Sequence, residues 1–237
     1  VVKDDPLFRR KPGLTVPSST ENGFSFTTKL ADEDMVFGLG EANRGINKRG
    51  FLYISDCADD PNHVESKTSL YAAHNFIIIS GKTHVGFFFD YPGTLRFDIG
   101  YTTSDTMTVS CENADLYVYM ITGDSDLDIV KQFRGIIGRS YIAPKFAFGY
   151  GQSRWGYKTE DDFRTVVKKY RENHVPLDMV YMDIDYMQDY KDFTVNEERF
   201  PDFEGFVQDI EKRKIHLVPI IDAGVKVEEG YDIYEEG

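Results

Sequence analysis

The stretch Met179–Met187 constrains the fold of this chain most, because an apolar run ends there in two carboxylates with one residue between them. An ionised carboxylate is costly inside a strand that is buried on both faces, unless it is paired or solvated. We therefore expect Asp183 and Asp185 to lie at the carboxyl end of a strand, where parallel sheets bind their ligands. The alternation of side chains predicts that both carboxylates share one face with Met179 and Tyr181. Such a face needs a cation, a sugar or water.

Strands and helices alternate from Pro144 onward, as is typical of a parallel sheet covered by helices. The first helix carries a capping box of Thr159 and Asp162, and apolar residues recur at helical spacing along both helices. In chain order we predict a strand over 146–152, a helix over 161–172, a strand over 179–184, a helix over 202–212 and a strand over 217–221. A closed eight-stranded α/β barrel takes about 250 residues, so this segment has enough chain for roughly three strands and cannot close by itself.

The chain before this segment shows short alternating strands between turn residues, with no sustained helical period up to residue 123. The clearest pair, Asn75–Ile79 and Val85–Phe89, is joined by Ser80–Thr83 and predicts a β-hairpin. Further strands are predicted over 24–28, 35–39, 94–99, 106–110 and 115–121. This series predicts an antiparallel β-sandwich.

A helix between the two patterns is predicted to connect two domains. Ser125 and Asp128 form a capping box, apolar residues follow at helical spacing, and Gly138 ends the helix. We expect an N-terminal domain over residues 1–143, which comprises the sandwich and this connector, and the beginning of a (β/α)8 TIM barrel over residues 144–237.

The composition excludes several classes of function. Forty Asp and Glu residues against 27 Lys and Arg residues give a formal net charge of −13, which repels nucleic acids and anionic membrane surfaces. No stretch approaches the ~20 apolar residues of a membrane span. The two cysteines, Cys57 and Cys111, favour a reducing compartment over a disulfide scaffold, so we expect a cytoplasmic protein. The five histidines are scattered without the spacing of a metal site.

The loops after the predicted parallel strands are the expected place for function, and they contain Trp155, the Asp183–Asp185 pair and Asp222. Trp155 either stacks on a sugar or packs on a neighbouring loop. Asp183 either binds a ligand or makes structural hydrogen bonds, and Asp222 is similarly ambiguous. Asp185 is interpreted as a structural carboxylate that fixes the loop.

Two alternatives belong to other classes of function. The two carboxylates could hold Mg²⁺ for phosphoryl or glycosyl transfer, since that ion binds carboxylate oxygens and substrate phosphates. Against this, Met187 stands where nucleophilic-aspartate phosphotransferases carry a small residue, and Gly38–Gly40 does not open a helix as a phosphate-binding loop would. The other alternative is a sugar-binding module without catalysis.

Four segments carry a resemblance to a known family: Phe37–Glu41, Phe148–Trp155, Tyr181–Met187 and Ile220–Val225. Together they resemble glycoside hydrolase family 31, and the order Asp-Ile-Asp-Tyr-Met, Asp-Phe-Thr, Phe-Pro is highly specific. Within the family the chain is similar to bacterial intracellular α-glucosidases of gut clostridia. The resemblance implies a β-sandwich followed by a (β/α)8 barrel, and a retaining, exo-acting α-glucosidase that removes terminal non-reducing glucose in α-1,6 or α-1,4 linkage.

The resemblance also implies roles for individual residues. Asp183 matches the aspartate that hydrogen-bonds the hydroxyls of the terminal glucose, and Ile184 and Ile220 match apolar walls of that pocket. Trp155 stands where many relatives carry tyrosine, and its larger ring is expected to favour α-1,6 over α-1,4 linkages. Asp59 is the expected loop aspartate that reaches over the active site. The expected substrate-binding residues are thus Asp59, Trp155, Asp183, Ile184, Ile220 and Asp222, with Asp56 and Asp60 as rivals of Asp59.

Neither catalytic carboxylate is expected in this chain. The family nucleophile lies in a Trp-x-Asp-Met-Asn-Glu-type motif on the fourth barrel strand, and nothing before Gly237 matches it or the acid/base. Asp183 and Asp185 are too close along the chain to flank a glycosidic bond as the ~5 Å carboxylate pair of retaining enzymes does. We expect an oligosaccharide partner of the maltose or isomaltose type, no metal and no other cofactor, and leave a homo-oligomer open.

Overall fold

The computed structural model describes residues 18–20, 23–112 and 116–237. They form two compact units, of which the first ends at Arg139 and the second begins at Ser140. Asp115, the predicted start of one strand, lies outside the described residues. Within the described ranges no helix is both long and apolar enough to span a membrane.

The first unit is a sandwich of two antiparallel sheets, which confirms the predicted architecture. Its strands are β1 (Ser18–Thr20), β2 (Gly23–Lys29), β3 (Met35–Gly40), β4 (Phe51–Ser55), β5 (Ala73–Ser80), β6 (His84–Asp90), β7 (Leu95–Ile99), β8 (Thr106–Cys111) and β9 (Tyr117–Gly123). One sheet has the order β1-β2-β8-β7-β4 and the other the order β3-β5-β6-β9. The predicted hairpin is β5 and β6, in which Ile79 pairs with Val85.

The strand β4 is missing from the sequence-based prediction. It lies at one edge of its sheet, where Tyr53 pairs with Phe97 of β7. Tyr53 is buried in the core of the sandwich, whereas Phe51 is exposed. This strand is only five residues long, and buried and exposed side chains do not alternate cleanly along it. The two-residue pattern that predicts a strand is therefore weak here.

The predicted connector helix, α1 (Asp126–Ile137), belongs to the first unit and packs on one of its sheets. Ile129 is buried in a cluster with Ile78 and Ile121. The ring of Phe133 stacks on Phe76 with a centroid distance of 3.9 Å. This apolar stripe holds the helix against the outer face of β5, β6 and β9.

The predicted capping box of α1 is half formed. The Ser125 hydroxyl accepts a hydrogen bond from the amide of Asp128, as expected. The Asp128 carboxylate, however, accepts from the amide of Asp124 at 3.3 Å and not from that of Ser125. The helix ends at Gly138 as predicted, and the φ of 93° at this glycine suits a residue without a side chain.

The second unit contains a three-stranded parallel sheet in the order β10-β11-β12, which confirms the predicted start of a barrel. Its elements are β10 (Gly151–Gln152), α2 (Glu160–Glu172), β11 (Met179–Met182), α3 (Phe203–Lys212), β12 (His216–Pro219) and α4 (Asp232–Glu236), with 3₁₀ helices at Lys145–Phe148 and Ile184–Tyr186. Phe163 and Val167 of α2, and Phe206 and Ile210 of α3, are buried in one core with the side chains of β11.

The strand predicted over 146–152 is wrong for most of its length. Residues Lys145–Phe148 form a 3₁₀ turn, in which the amide of Ala147 bonds to the carbonyl of Pro144. The amide of Tyr150 donates to the Asp178 carboxylate at 3.1 Å. Because these amides already have partners, the parallel ladder begins only at Gly151.

The capping box at the start of α2 forms in full. The Thr159 hydroxyl accepts from the amide of Asp162, and the Asp162 carboxylate accepts from the amides of Thr159 and Lys158. Burial alone would raise the pKa of Asp162. The hydrogen bonds that its carboxylate accepts from the amide of Lys158 and from the hydroxyl and amide of Thr159 outweigh burial and hold the pKa below its usual value.

We predict that Thr159→Ala lowers the free energy of unfolding by about 1 kcal/mol at neutral pH. A carboxyl with a lowered native pKa stabilises the fold above its unfolded pKa, and this contribution is lost as the pH falls through the native pKa. Asp162→Asn should therefore cost stability at neutral pH and less at pH ~3, close to the unfolded pKa of an aspartate. Urea unfolding at neutral pH and at pH ~3 measures the free energy of unfolding of each variant. Asp161→Asn, an exposed neighbour, is the control, and an equal loss in both variants would contradict the prediction.

Candidate functional site

The carboxyl ends of the three parallel strands meet at one edge of the sheet. Met182 pairs with Pro219, and Gln152 pairs with Val180 on the other side of β11. The amide of Ile220 donates to the carbonyl of Met182 at 2.9 Å, so the ladder continues one residue beyond β12. The loops that were predicted to carry function therefore start side by side.

Asp183 is the first residue after β11 and caps the 3₁₀ turn that follows. Its Oδ1 accepts a hydrogen bond from the amide of Ile184 at 2.7 Å. The side chain is half-buried, and no donor among the described residues bonds to its Oδ2. One oxygen thus fixes the direction of the carboxylate, and the other can accept a hydrogen bond from a ligand.

Asp185 does not share a face with Asp183, contrary to the prediction. The strand ends at Met182, and the 3₁₀ turn replaces the two-residue alternation of a strand by a three-residue period. Asp185 is 1% exposed, and its Oδ1 lies 3.6 Å from Nη1 of Arg199 and 3.8 Å from Nζ of Lys158. These contacts agree with its interpretation as a structural carboxylate.

The two predicted wall residues, Ile184 and Ile220, lie after neighbouring strands. Ile184 is partly buried and packs against the core of the second unit. Ile220 is 39% exposed, and its carbonyl accepts a hydrogen bond from the Tyr186 hydroxyl at 2.8 Å. Ile184 follows Asp183 directly in the chain, and the amide of Ile220 bonds to the carbonyl of Met182, the residue before Asp183.

Asp222 lies two residues beyond Ile220 and is exposed. Its carboxylate accepts from the amide of Ala223 at 2.9 Å. Its own amide donates to Oδ1 of Asp192 at 2.8 Å. The backbone at Asp222 is thus fixed by a side chain from the loop after β11.

Trp155 lies in the loop after β10 and is 68% exposed. Gly156 follows with a φ of 102°, which turns the chain sharply toward α2. Trp155 makes no ring stacking contact with another described side chain, so its indole face is open. The loop that carries Trp155 leaves the carboxyl end of β10, which lies next to β11 in the sheet.

Asp59 lies in the loop between β4 and β5 of the first unit and is exposed. Burial raises the pKa of Tyr71, and a hydrogen bond to the Asp59 carboxylate raises it further. Asp60 forms an ion pair with Lys67, whose hydrogen bond lowers the pKa of Asp60. Asp56 is exposed, and Asp59 remains the prediction for the loop aspartate.

Three side chains that organise the sheet edge were not singled out from the sequence: Tyr186, Asp192 and Arg199. Asp192 is 1% exposed although it stands in a polar stretch, so composition gave no sign of its burial. Its position within the resembling motif was the one available signal. Burial raises the pKa of Tyr186, and the charge of Asp192 raises it further, so this hydroxyl stays a hydrogen-bond donor.

Within the described ranges no three His, Cys, Asp or Glu side chains are grouped so that they could hold a metal ion. Asp183 and Asp185 face different surroundings, as described above. The loops at this sheet edge carry a carboxylate with one open oxygen, Asp183, and the exposed side chains of Ile220 and Trp155, residue types that suit a polyhydroxylated ligand with apolar faces.

Two family models match the chain. Residues 8–98 match the glycosyl hydrolase 31 N-terminal galactose mutarotase-like domain. Residues 140–237 match the glycosyl hydrolases family 31 TIM-barrel domain. Together the two models cover most of the sequence: the first ends at residue 98, within the first unit, and the second spans the whole second unit.

Individual relatives agree with these models. Alpha-glucosidase 2 of Bacillus thermoamyloliquefaciens is 35% identical over 95% of this chain and 30% of its own length. The alpha-glucosidase of Saccharolobus solfataricus is 26% identical over 86% of this chain and 30% of its own length. A family 31 dextranase of Flavobacterium johnsoniae, solved with isomaltotriose, superposes with a TM-score of 0.79 at 23% identity, over 95% of this chain and 26% of that one.

The chain thus spans about 30% of the length of the two curated relatives that it matches. The particular closeness to enzymes of gut clostridia stays a prediction. The two domain models and the shared architecture show that the chain belongs to glycoside hydrolase family 31, of which it carries the N-terminal mutarotase-like domain and the beginning of the TIM barrel.

Proposed function

We propose that this chain is part of a retaining, exo-acting α-glucosidase that hydrolyses terminal non-reducing α-linked glucose from oligosaccharides. In this proposal the chain supplies half of the glucose pocket. The nucleophile and the acid/base come from later strands of the barrel, and the protein works without a cofactor in the cytoplasm.

The observation that carries the proposal is the state of Asp183. Its carboxylate stands at the carboxyl edge of a parallel barrel sheet, where barrel enzymes bind their substrates. Oδ1 is held by the amide of Ile184, and Oδ2 has no donor among the described residues. A fixed carboxylate with one open oxygen can accept hydrogen bonds from glucose hydroxyls and reject sugars that lack them.

The neighbouring residues give the pocket its other properties. Ile184 and Ile220 contribute apolar walls, Asp222 a further carboxylate, and the exposed Trp155 an aromatic face toward the following sugar. Asp59, the loop aspartate that the family resemblance implies, is proposed as a further substrate-binding residue. The substrate is proposed to be an oligosaccharide of the isomaltose or maltose type.

Hydrolysis of p-nitrophenyl α-glucoside tests the proposal, with two proteins whose intact masses are measured on the same samples. The full-length protein, by which we mean this chain continued through a complete barrel, should be active, and the 237-residue chain should not. Activity of the 237-residue chain alone would contradict the placement of the catalytic carboxylates. Saturable isomaltose binding by a full-length protein that hydrolyses nothing would show a sugar-binding module instead.

Trp155→Tyr should change the linkage preference of the full-length protein. A phenol is smaller than an indole, so the variant should lose preference for the longer α-1,6 linkage. We expect the ratio of kcat/KM for isomaltose to that for maltose to fall about tenfold. Stability should change little, because the indole is exposed. Phe148→Tyr, at another exposed aromatic ring, is the control, and an unchanged ratio in Trp155→Tyr would exclude this role.

A further inference from the structure

The segment Ile220–Asp222 is held from one side by two side chains of the segment that follows β11. The Tyr186 hydroxyl donates to the carbonyl of Ile220 at 2.8 Å. The Asp192 carboxylate accepts from the amide of Asp222 at 2.8 Å. Both bonds go to the backbone, so they set the path of the chain and do not engage the side chains of Ile220 and Asp222.

The two side chains that make these bonds are themselves rigidly placed. Tyr186 is 4% exposed and Asp192 is 1% exposed. The carbonyl of Tyr186 accepts from the amide of Asn196 at 2.8 Å, and the carbonyl of Asp192 accepts from the Tyr231 hydroxyl at 2.5 Å. Buried groups that bond on both sides have little freedom to move, so they define a fixed position for the segment they hold.

The ladder hydrogen bonds alone do not fix this segment. The last one joins the amide of Ile220 to the carbonyl of Met182, and the chain leaves the sheet after it. Beyond that point Ile220 and Asp222 would be parts of an exposed loop. The bonds from Tyr186 and Asp192 therefore extend the order of the sheet two residues further, to the place where a ligand would bind.

We propose that Tyr186 and Asp192 are positioning residues, which hold the Ile220–Asp222 wall of the pocket in the geometry that binds the sugar. This inference deepens the proposed function and rests on it. The two residues act through the backbone of the wall and do not touch the substrate. Their loss should weaken substrate binding more than it slows the chemical step.

Hydrogen exchange tests the inference independently of activity. In the full-length protein, Asp192→Ala removes the acceptor of the Asp222 amide, and Asp192→Asn keeps an acceptor oxygen in the same place. We expect exchange of the peptide that covers residues 219–224 to become about tenfold faster in Asp192→Ala and to return close to the wild-type rate in Asp192→Asn. Exchange in α2 should not change. Equal exchange in the wild type and Asp192→Ala would overturn the inference.

Kinetics of Tyr186→Phe test the effect on the pocket, because this change removes one hydroxyl and keeps the buried ring. We expect KM for p-nitrophenyl α-glucoside to rise about 3- to 10-fold, with kcat within about twofold of the wild type. Tyr190→Phe removes the hydroxyl of an exposed tyrosine nearby and should leave both constants unchanged. A fall in kcat at constant KM, or the same change in Tyr190→Phe, would contradict the positioning role.

An inactive wild-type protein would reject the proposed function, while the exchange experiment would still decide whether Tyr186 and Asp192 hold the Ile220–Asp222 segment in place.

Discussion

Replacement of Asp183 by alanine in the full-length protein is expected to lower kcat/KM for α-glucosides by at least about 10³-fold. The carboxylate is half-buried, and the amide of Ile184 fixes its direction. In the proposed glucose pocket, sugar hydroxyls that lose this acceptor would be left desolvated and without a partner, which costs more than a lost hydrogen bond in water. The predicted effect therefore follows from the geometry of one oxygen atom.

Two controls separate this effect from misfolding. Asp183→Asn keeps the shape and one acceptor oxygen but loses the charge, so its kcat/KM should lie between those of the wild type and Asp183→Ala. Loss of the cap on the 3₁₀ turn should cost about 1 kcal/mol of stability, which urea unfolding measures on the same samples. Asp161→Ala, at an exposed acid of α2, should behave as the wild type. Near-normal turnover of Asp183→Ala would reject the assignment.

Phe206→Ala is expected to lower the free energy of unfolding of the second unit by about 3–5 kcal/mol. Phe206 is fully buried, and its ring lies 5.9 Å from that of Phe163 and 5.7 Å from that of Phe200. The guanidinium of Arg164 lies 5.5 Å from the same ring. Truncation would remove these contacts and leave a cavity that close-packed neighbours fill only in part.

An exposed phenylalanine of the same unit provides the matched control. Phe148 is 75% exposed, so Phe148→Ala should change the free energy of unfolding by less than about 0.5 kcal/mol. Urea unfolding followed by circular dichroism measures both variants. If the two units unfold separately, the loss in Phe206→Ala should appear in one transition only. Equal losses in the two variants would mean that this cluster does not stabilise the unit.

The sequence predicted the architecture well, because its strongest signals are periodic. The core residues of α2 and α3 recur at helical spacing, and Phe163 and Phe206 are buried as the pattern requires. The parallel order of β10, β11 and β12 followed from the alternation of strand and helix. Long periodic segments average over many residues, so a single exception does not change the assignment.

The errors in predicting the second unit lie where a hydrogen bond or a tight turn interrupts the local periodic pattern. The Asp178 carboxylate takes the amide of Tyr150, and the strand predicted from Phe146 begins only at Gly151. At Asp185 a 3₁₀ turn follows the strand, so alternation assigned the carboxylate to the wrong surroundings. Hydrogen bonds between residues distant in sequence leave no periodic trace, and propensity does not reveal them.

The residues of the candidate site that could bind a ligand were predictable from the sequence. The residues that hold them in place were less so. The acid at Asp183 stands out because it follows an apolar strand. Asp192 gives no such contrast, since it does not follow an apolar strand, and its backbone and side chain bond to Tyr231 and Asp222, which are distant in the sequence. Residues that touch a ligand can be recognised by their chemistry, whereas residues that hold others in place are recognised only in three dimensions.

The position of Trp155 has a practical consequence for spectroscopy. It is the sole tryptophan among 237 residues, and it is exposed in the loop after β10 rather than buried in either core. Selective excitation of indole in this chain therefore reports on one loop, and its emission should be that of a water-exposed chromophore. The chain carries an intrinsic optical probe in the loop after β10, while unfolding of the sandwich must be followed through its tyrosines or its backbone.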